Sequence, residues 1–290
     1  METTYDLPVV AVRSLTENVF SLVLDAGRLA QAPLPGQFFH VKCGTGLETY
    51  LRRPISVCNY DEQTKLLRLV VEIKGRGTKL LSRIQRGDSV NVMGPLGGRG
   101  FTVVPNAHVI LAGGGLGSCP LLYLARQLKA AGCTVSVYLG FRSRDLVILE
   151  TEYRATADQV TIATDDGSYG MAGYAAELVR QQLRRLQSAS CLPAAVYTCG
   201  PQIMMDKVTE AAAEAGVPYE LSREERMGCG IGACLVCACA IKQDNQEDGP
   251  VRYAHVCKDG PVFGTLSLLS PHGTDSVRIE KAAEGKAMGG

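Results

Sequence analysis

The chain has 290 residues, of which 46% are hydrophobic and 20% are charged, and its formal net charge is +1. A balanced chain with no basic stripe and no run of about 18 apolar residues argues against nucleic-acid binding and against a transmembrane helix. The N-terminal region carries Glu2, Asp6 and Arg13 and lacks the pattern of a signal peptide. The 11 cysteines are spread along a long chain, which favours a reducing compartment. We therefore expect a cytoplasmic protein.

Short apolar runs in the first part of the chain predict a small antiparallel barrel. The runs are bounded by turn signals such as Pro35-Gly36 and Gly87-Asp88. The predicted strands are residues 7–12, 19–24, 37–42, 66–73 and 89–92. We expect this barrel to occupy residues 1–103, because the pattern of elements changes from there on.

The motif Arg53-Pro54-Ile55-Ser56 lies within the predicted barrel and suits a diphosphate. A guanidinium recognises phosphate through paired hydrogen bonds, and a nearby serine hydroxyl supplies a further donor. The alternative is a surface strand with two solvated arginines, and the motif alone does not separate the two interpretations.

A second candidate phosphate contact is the turn Gly75-Arg76-Gly77-Thr78, which precedes a short helical pattern. Glycines at a strand-to-helix turn let the backbone approach a phosphate closely, and a helix N-terminus favours negative charge. An ordinary glycine hairpin is the alternative. Together with the arginine motif, the turn indicates a nucleotide cofactor on the barrel.

From about residue 104 the strands alternate with helices, which predicts parallel βαβ units. A strand at 108–112, a glycine-rich turn and a helix at 119–131 follow one another in the order of a dinucleotide site. The turn is Gly113-Gly114-Gly115-Leu116-Gly117. It lacks the G-x-G-x-x-G pattern, so a plain strand-to-helix connection stays open. We expect a doubly wound parallel sheet at residues 104–220.

Further strands at 135–140, 159–163 and 195–198 end in small or polar residues, where ligands of such sheets bind. Asp165 follows the third strand of the domain. Its carboxylate would accept a hydrogen bond from a ribose hydroxyl and repel a 2′-phosphate, which favours NAD over NADP. The same aspartate also suits an ordinary solvated turn. Cys199-Gly200-Pro201 follows the fourth strand.

Four cysteines in the C-terminal part have the spacing of iron–sulfur ligands. Cys229, Cys234, Cys237 and Cys257 form a C-x4-C-x2-C…C pattern, which is typical of plant-type [2Fe-2S] sites. Zinc is the main alternative, although structural zinc sites usually present two C-x2-C pairs or a mixture of cysteine and histidine. Cys239 is a candidate substitute ligand. We expect a small cluster module at 221–264 and a poorly ordered tail at 265–290.

Four motifs, taken in order, resemble the ferredoxin-reductase family of FAD and NAD(P) flavoproteins. They are Arg53-Pro54-Ile55-Ser56, Gly75-Arg76-Gly77-Thr78, Gly113-Gly114-Gly115-Leu116-Gly117 and Cys199-Gly200-Pro201. The resemblance implies that FAD binds the barrel at Arg53, Pro54, Ile55, Ser56, Val70, Val71, Glu72, Gly77 and Thr78. It implies that NAD binds the second domain at Gly113, Gly114, Gly115, Gly117, Asp165, Cys199, Gly200 and Pro201. Many members carry a flavin-covering tyrosine where this chain has Ile55, so no stacking partner is assigned.

The C-terminal cysteines narrow the resemblance to the electron-transfer subunits of dihydroorotate dehydrogenase B. That resemblance implies a separate catalytic subunit that carries FMN and oxidises dihydroorotate in pyrimidine synthesis, in a heterotetramer with two copies of each subunit. Electrons would pass from FMN through [2Fe-2S] and FAD to NAD. One alternative is the flavin and iron–sulfur subunit of another reductase, such as a sulfhydrogenase or an NADH-dependent ferredoxin:NADP oxidoreductase. An alternative of another class is a zinc-bearing interaction module.

Overall fold

The structure is a computed structural model and describes residues 3–44, 46, 49–243, 251–265 and 277–279. Its N-terminal part contains the strands β1 (Thr4–Ser14), β2 (Val19–Asp25), β3 (Phe38–Val41), β4 (Arg53–Asp61), β5 (Leu66–Glu72) and β6 (Ser89–Leu96). They form a closed antiparallel barrel in the order β1-β2-β5-β4-β3-β6. A short helix, α1 (Arg76–Leu81), follows β5. The predicted antiparallel barrel is confirmed.

Strand β4 is the barrel strand that the apolar pattern does not predict. The first half of β4 is only half-buried, and a register shift between Val57 and Asn59 interrupts its pairing with β5. A strand with such a bulge and a partly open face does not show the regular alternation on which the prediction relies. The barrel nevertheless has a continuous apolar core, which includes Leu7, Leu22, Phe39, Val41, Leu67 and Leu69.

The second part of the chain alternates strands and helices. Its elements are β7 (His108–Gly114), α2 (Ser118–Ala130), β8 (Thr134–Phe141), α3 (Glu150–Thr156), β9 (Gln159–Thr164), β10 (Met171–Ala172), α4 (Ala175–Ser188), β11 (Ala195–Cys199), α5 (Gln202–Glu214) and β12 (Tyr219–Ser222). The strands from β7 to β12 pair in parallel. This arrangement confirms the predicted parallel sheet.

Helices cover both faces of this sheet, as the alternation along β7 shows. Val109 and Leu111 pack into one core together with apolar residues of α2, whereas Ile110 and Ala112 pack into another with residues of α4 and α5. Side chains alternate between faces along a strand, so a strand buried on both sides reads as one continuous apolar run. The sheet is therefore doubly wound.

The C-terminal part contains β13 (Ala238–Gln243), β14 (Val251–His255), β15 (Val262–Gly264) and β16 (Val277–Ile279). Strands β14, β13 and β16 form a small antiparallel sheet. Strand β15 instead pairs antiparallel with β12 and becomes an edge of the large sheet, whose order is β10-β9-β8-β7-β11-β12-β15. The C-terminal part is thus joined to the second domain by main-chain pairing.

The predicted domain limits stay predictions, but two differences from the elements are visible. The limit at residue 220 falls inside β12, because that strand continues to Ser222 beside β11. Most of the predicted tail at 265–290 lies outside the described residues. Within the described part of the chain, no helix is both long enough and apolar enough to cross a membrane.

Candidate cofactor sites

A cleft of about 400 Å³ opens where the barrel, the parallel sheet and the C-terminal part meet. Its size lies in the range of ligand pockets, about 300–1,000 Å³. The predicted FAD residues that line it are Arg53, Pro54, Ile55, Ser56, Val70, Glu72, Gly77 and Thr78. Val71 is the exception, since its side chain is buried in the barrel core. The structure therefore brings together residues that the sequence placed in two separate motifs.

The two arginines of the first motif have different environments. Arg53 lines the cleft, and its Nη1 donates to the Leu51 carbonyl at 2.6 Å. Arg52 instead donates to the carbonyls of His40 and Asn91, both at 3.2 Å, and to the Asn91 side chain. Both are only half-buried, but neither is a freely solvated surface charge. The geometry favours a binding role for Arg53 and a structural role for Arg52.

The second motif lies directly against Arg53. A Cβ atom on Gly77 would lie 3.4 Å from Nε of Arg53, so glycine leaves the space beside the guanidinium open. The Thr78 hydroxyl accepts hydrogen bonds from the main-chain N–H groups of Lys74 and Gly75 at 3.0 and 3.2 Å, which holds the turn in place. An arginine beside an open glycine turn suits the diphosphate of FAD. The individual contacts with FAD stay predictions.

The nicotinamide turn, defined here as Gly113–Gly117, packs directly against the Cys199-Gly200-Pro201 segment. A Cβ atom on Gly117 would overlap the Cys199 carbonyl oxygen, and one on Gly114 would lie 2.8 Å from Pro201. The two predicted NAD segments thus form one surface at the carboxyl ends of β7 and β11, where dinucleotides bind in open α/β sheets. Burial raises the pKa of the Cys199 thiol, so this cysteine stays protonated.

The two aspartates after β9 differ in their contacts. Asp166 accepts hydrogen bonds from the main-chain N–H and the hydroxyl of Ser168 at 2.9 and 2.6 Å, which is ordinary turn chemistry. Asp165 is exposed at the same edge of the sheet as the nicotinamide turn, with β8 between the two. Asp165 is the carboxylate that the sequence assigns to NAD, and its contact with the ribose stays a prediction.

The cluster loop, defined here as residues 228–237, directs main-chain N–H groups at its own cysteine sulfurs and at the sulfur of Cys257. The Cys229 sulfur accepts from Ile231, Ala233 and Cys234 at 3.3–3.4 Å. The Cys257 sulfur accepts from Gly232 at 3.1 Å. Partial burial disfavours the Cys229 thiolate, but these N–H groups outweigh it and lower the pKa to about 6. Such donors suit metal-bound thiolates.

The four candidate ligands form two pairs. Cys229 and Cys234 each accept a hydrogen bond from the other's main-chain N–H, and the sulfurs of Cys237 and Cys257 lie 3.2 Å apart. A [2Fe-2S] cluster needs two thiolates at each of two irons, whereas zinc needs four ligands around one ion. The arrangement fits the cluster.

Cys239, the candidate substitute ligand, lies in β13. It packs into the apolar core of the C-terminal part and is 4% exposed, and burial raises the pKa of its thiol. Cys237 and Cys257 are buried in the same core, so burial does not separate Cys239 from the candidate ligands. The four cysteines of the C-x4-C-x2-C…C pattern supply four thiolates without Cys239, and its role as a substitute ligand stays a prediction.

Sequence reasoning missed the residues that connect the cluster loop to the cleft. Phe38 and Met227 line the cleft and also pack against the core that contains Cys237 and Cys257. Leu116 of the nicotinamide turn and residues 222–225, at and after the end of β12, also line the cleft. Met227 precedes the first ligand by two residues, which is the only local signal of this role.

His40 is a further residue that the sequence pattern does not single out. Its side chain is 1% exposed. Burial and the positive charges of Arg52 and Arg53 lower the pKa of His40 to about 4, although the nearby Cys229 carbonyl acts in the opposite direction. The ring is therefore uncharged at neutral pH.

Comparisons with known proteins agree with this geometry. Residues 224–268 match the family model described as the iron-sulfur cluster binding domain of dihydroorotate dehydrogenase B. The chain is 40% identical over 270 residues to the "Dihydroorotate dehydrogenase B (NAD(+)), electron transfer subunit" of Desulforamulus reducens, covering 93% of this chain and 99% of the relative. The protein of the same name from Geobacillus thermodenitrificans is 39% identical over 260 residues, 89% of this chain and 95% of the relative.

Solved structures show the same architecture. An NADH-dependent reduced ferredoxin-NADP oxidoreductase, described in connection with flavin-based electron bifurcation, has a TM-score of 0.73 and 29% identity, covering 91% of this chain and 90% of its own. A ferredoxin NADP+ reductase from Neisseria gonorrhoeae with bound FAD and NADP has a TM-score of 0.59 and 14% identity, covering 74% and 93%, which supports the fold alone. With such identity along nearly its whole length, the chain belongs to the family of electron transfer subunits of dihydroorotate dehydrogenase B (NAD(+)).

Proposed function

We propose that this chain takes electrons from a catalytic partner subunit at its cluster loop and delivers them to NAD, as the electron-transfer subunit of a dihydroorotate dehydrogenase in pyrimidine biosynthesis. The observation that carries the proposal is the shared cleft. Ile55 of the barrel, Leu116 of the nicotinamide turn and Met227 beside the cluster loop line the same space. One cofactor in this cleft can therefore face both redox partners.

The chemistry requires a converter between single electrons and a hydride. When bound, the [2Fe-2S] cluster carries one electron at a time, NAD accepts two electrons with a proton as hydride, and FAD exchanges with both. The chain's residues place FAD between the cluster and NAD. Arg53 and the turn at Gly77 bind the diphosphate of FAD, and the nicotinamide turn binds NAD on the side of the cleft away from the cluster loop. Phe38 and Met227 line the cleft and also pack against the core that contains Cys237 and Cys257, so they form an apolar connection between the two sites.

The partner is proposed from the family. The relatives' name, electron transfer subunit, implies a separate catalytic subunit. We propose that this subunit carries FMN, oxidises dihydroorotate to orotate and assembles with this chain as a heterotetramer with two copies of each. A cytoplasmic location, which the composition predicts, suits a reduced cluster and free NAD.

The test is NAD reduction that depends on dihydroorotate. The chain is co-purified with its native partner, its iron, sulfide, FAD and FMN contents are measured, and NADH formation is followed after dihydroorotate is added. We expect NADH only when both subunits are present, and none from this chain alone. A fully loaded complex that forms no NADH from dihydroorotate would refute the proposal.

A second candidate is a subunit that exchanges electrons with ferredoxin and NADP. The likeness to the NADH-dependent reduced ferredoxin-NADP oxidoreductase, at 29% identity, favours it as the alternative. The same preparation tests it when reduced ferredoxin replaces dihydroorotate and NADP replaces NAD. We expect this activity to be absent.

A further inference from the structure

His40 is a buried histidine whose ring finds no hydrogen-bond partner in the described part of the chain. Its side chain is 1% exposed, and both Nδ1 and Nε2 lack a partner. The Cys229 main-chain carbonyl lies near the ring and opposes the lowering of its pKa, but neither ring nitrogen has a hydrogen bond of ordinary geometry with it. Buried polar groups almost always have a hydrogen-bond partner, so an unpaired buried ring indicates that its partner is a bound group such as a cofactor.

The fold turns this ring away from the barrel core and toward the cluster loop. Along β3, Phe39 and Val41 belong to the barrel core, whereas Phe38 packs with the ligand cysteines. Alternate residues of a strand share a face, so His40 lies on the same face as Phe38. The two rings meet edge to face with centroids 6.4 Å apart.

The contact with the cluster loop is at Gly230, which follows the first ligand. A Cβ atom on Gly230 would lie 2.7 Å from Nδ1 of His40. The His40 ring therefore occupies the space that a side chain at position 230 would need. The main chain of His40 is fixed on the other side, since its carbonyl accepts from Arg52 at 3.2 Å and its strand pairs with β4 and β6. The fixed main chain of β3 therefore holds the His40 ring against Gly230 of the cluster loop.

We propose that His40 is a positioning residue of the iron–sulfur centre: from the barrel, its ring holds an N–H donor toward the sulfurs bound in the cluster loop and thereby raises the reduction potential of the cluster. This inference rests on the [2Fe-2S] site of the proposed function. It adds a donor from the flavin-binding barrel to those that the loop itself supplies.

The chemical reason is the charge that a cluster gains on reduction. An uncharged imidazole carries one N–H donor, and hydrogen bonds to cluster sulfurs stabilise the more negative, reduced state. The donors described above are main-chain N–H groups of the loop itself, those of Cys229, Ile231, Gly232, Ala233 and Cys234. A donor from His40 would come from β3, the strand whose Phe38 lines the FAD cleft. The barrel would then influence the reduction potential of the cluster.

The experiment compares three variants of the full-length chain, each prepared with its FAD and iron. His40→Phe keeps a ring of similar size but removes both nitrogens. His40→Asn keeps an N–H donor near the position of Nδ1. His108→Phe is the matched control, because His108 lies in β7 of the parallel sheet and bonds the Ser136 hydroxyl at 3.0 Å.

The first measurement is the cluster potential, followed by electron paramagnetic resonance during a redox titration. We expect His40→Phe to lower the ratio of reduced to oxidised cluster about tenfold at a fixed ambient potential, a shift of about 59 mV for one electron. His40→Asn should stay within about twofold of the unsubstituted protein, and His108→Phe should match it.

The second measurement detects the ring directly. Protein labelled with 15N at histidine only should show a 15N coupling in pulsed paramagnetic resonance spectra of the reduced cluster. The coupling that is lost in His40→Phe belongs to His40, since His255 is labelled too and lies two residues before Cys257. If His40→Phe does not retain iron, this coupling and the His40→Asn potential decide the question.

Three results would overturn the inference: an unchanged potential in His40→Phe, an equal shift in His40→Asn and His40→Phe, or no histidine coupling in the unsubstituted protein. An unsubstituted chain without iron and sulfide would refute the proposed function as well. A normal cluster with an unchanged potential in His40→Phe would refute only the role of His40.

Discussion

The cluster loop and the nicotinamide turn are both rich in glycine, but for different physical reasons. In the cluster loop, Gly230 and Gly232 adopt φ angles of +77° and +82°, which side-chain-bearing residues rarely adopt. These conformations turn successive N–H groups toward the cysteine sulfurs. In the nicotinamide turn, Gly117 is needed because the Cys199 carbonyl from another strand occupies the position of its Cβ atom.

The difference separates a local requirement from a tertiary one. The ligand cysteines and glycines of the cluster loop occur within a few residues of one another, so the requirement is visible in the sequence. The requirement at Gly117 comes from β11, which is remote in the chain and adjacent only in the folded sheet. We therefore expect changes in the loop to affect the cluster and changes in the turn to affect NAD, each without the other.

The largest effect is expected for Cys234→Ala. Removing one of four thiolates leaves one iron with a single protein ligand, so we expect the cluster to be lost while FAD stays bound. Iron, labile sulfide and flavin contents of the purified variant provide the measurement. Cys191→Ala, which removes an exposed cysteine outside the C-terminal part, should retain all three. Unchanged iron in Cys234→Ala would contradict the ligand assignment.

Gly117→Ala should weaken the nicotinamide turn and leave the cluster intact. The added methyl group overlaps the Cys199 carbonyl, and overpacking of this kind costs about 1–3 kcal/mol. We expect lower stability in urea and about tenfold weaker NADH binding or worse, which corresponds to ~1.4 kcal/mol. The control is Gly75→Ala at the turn after β5, where φ is −162° and no atom lies within 4 Å of the added Cβ. Equal effects of the two changes would show that the close contact between Gly117 and the Cys199 carbonyl is not the cause.

Gly230→Ala should reduce cluster retention and leave NADH binding unchanged. A left-handed φ costs alanine about 1–2 kcal/mol, and the methyl group also meets the His40 ring at 2.7 Å. Gly232→Ala carries a similar backbone cost but meets the flexible Lys258 side chain, so its effect should be smaller. Iron loss during incubation with a chelator measures both. A larger effect at Gly232 would show that the contact with His40 is unimportant.

The smallest effect is expected for Asp165→Ala. Loss of the carboxylate should reduce the preference for NAD over NADP by roughly two- to fivefold, because exposed charges interact weakly in water. The measurement is the ratio of kcat/KM for the two nucleotides. Asp166→Ala serves as the control, since its carboxylate bonds Ser168 within the turn. An unchanged ratio in Asp165→Ala would contradict the prediction and show that other residues set the preference for NAD over NADP.

The sequence predicted the fold where its patterns were regular. The apolar runs of the barrel and of β7, β8, β9 and β11 correspond to strands, because repeated burial produces repeated composition. It did not predict β4, whose bulge and open face break the alternation. It also did not predict β15, three residues long, whose pairing with β12 depends on where the chain returns after the cluster loop.

The candidate sites divide in the same way. The motif residues were found from their chemistry, and most predicted FAD residues line one cleft. Phe38, Met227 and the segment Ser222–Glu225 were missed, since ordinary apolar or charged residues become cleft residues only through their placement.

By itself, the sequence predicted the ligand set, because three of the four thiolates in the C-x4-C-x2-C…C pattern lie within one short loop and the spacing carries their chemistry. Only the tertiary structure decided that β3 serves two cores, with Phe39 and Val41 inside the barrel and Phe38 against the cysteines. A strand of four buried residues does not reveal what covers each face. The partner of the second face, the loop that carries Gly230, comes from the other end of the chain and meets His40 only in the folded protein.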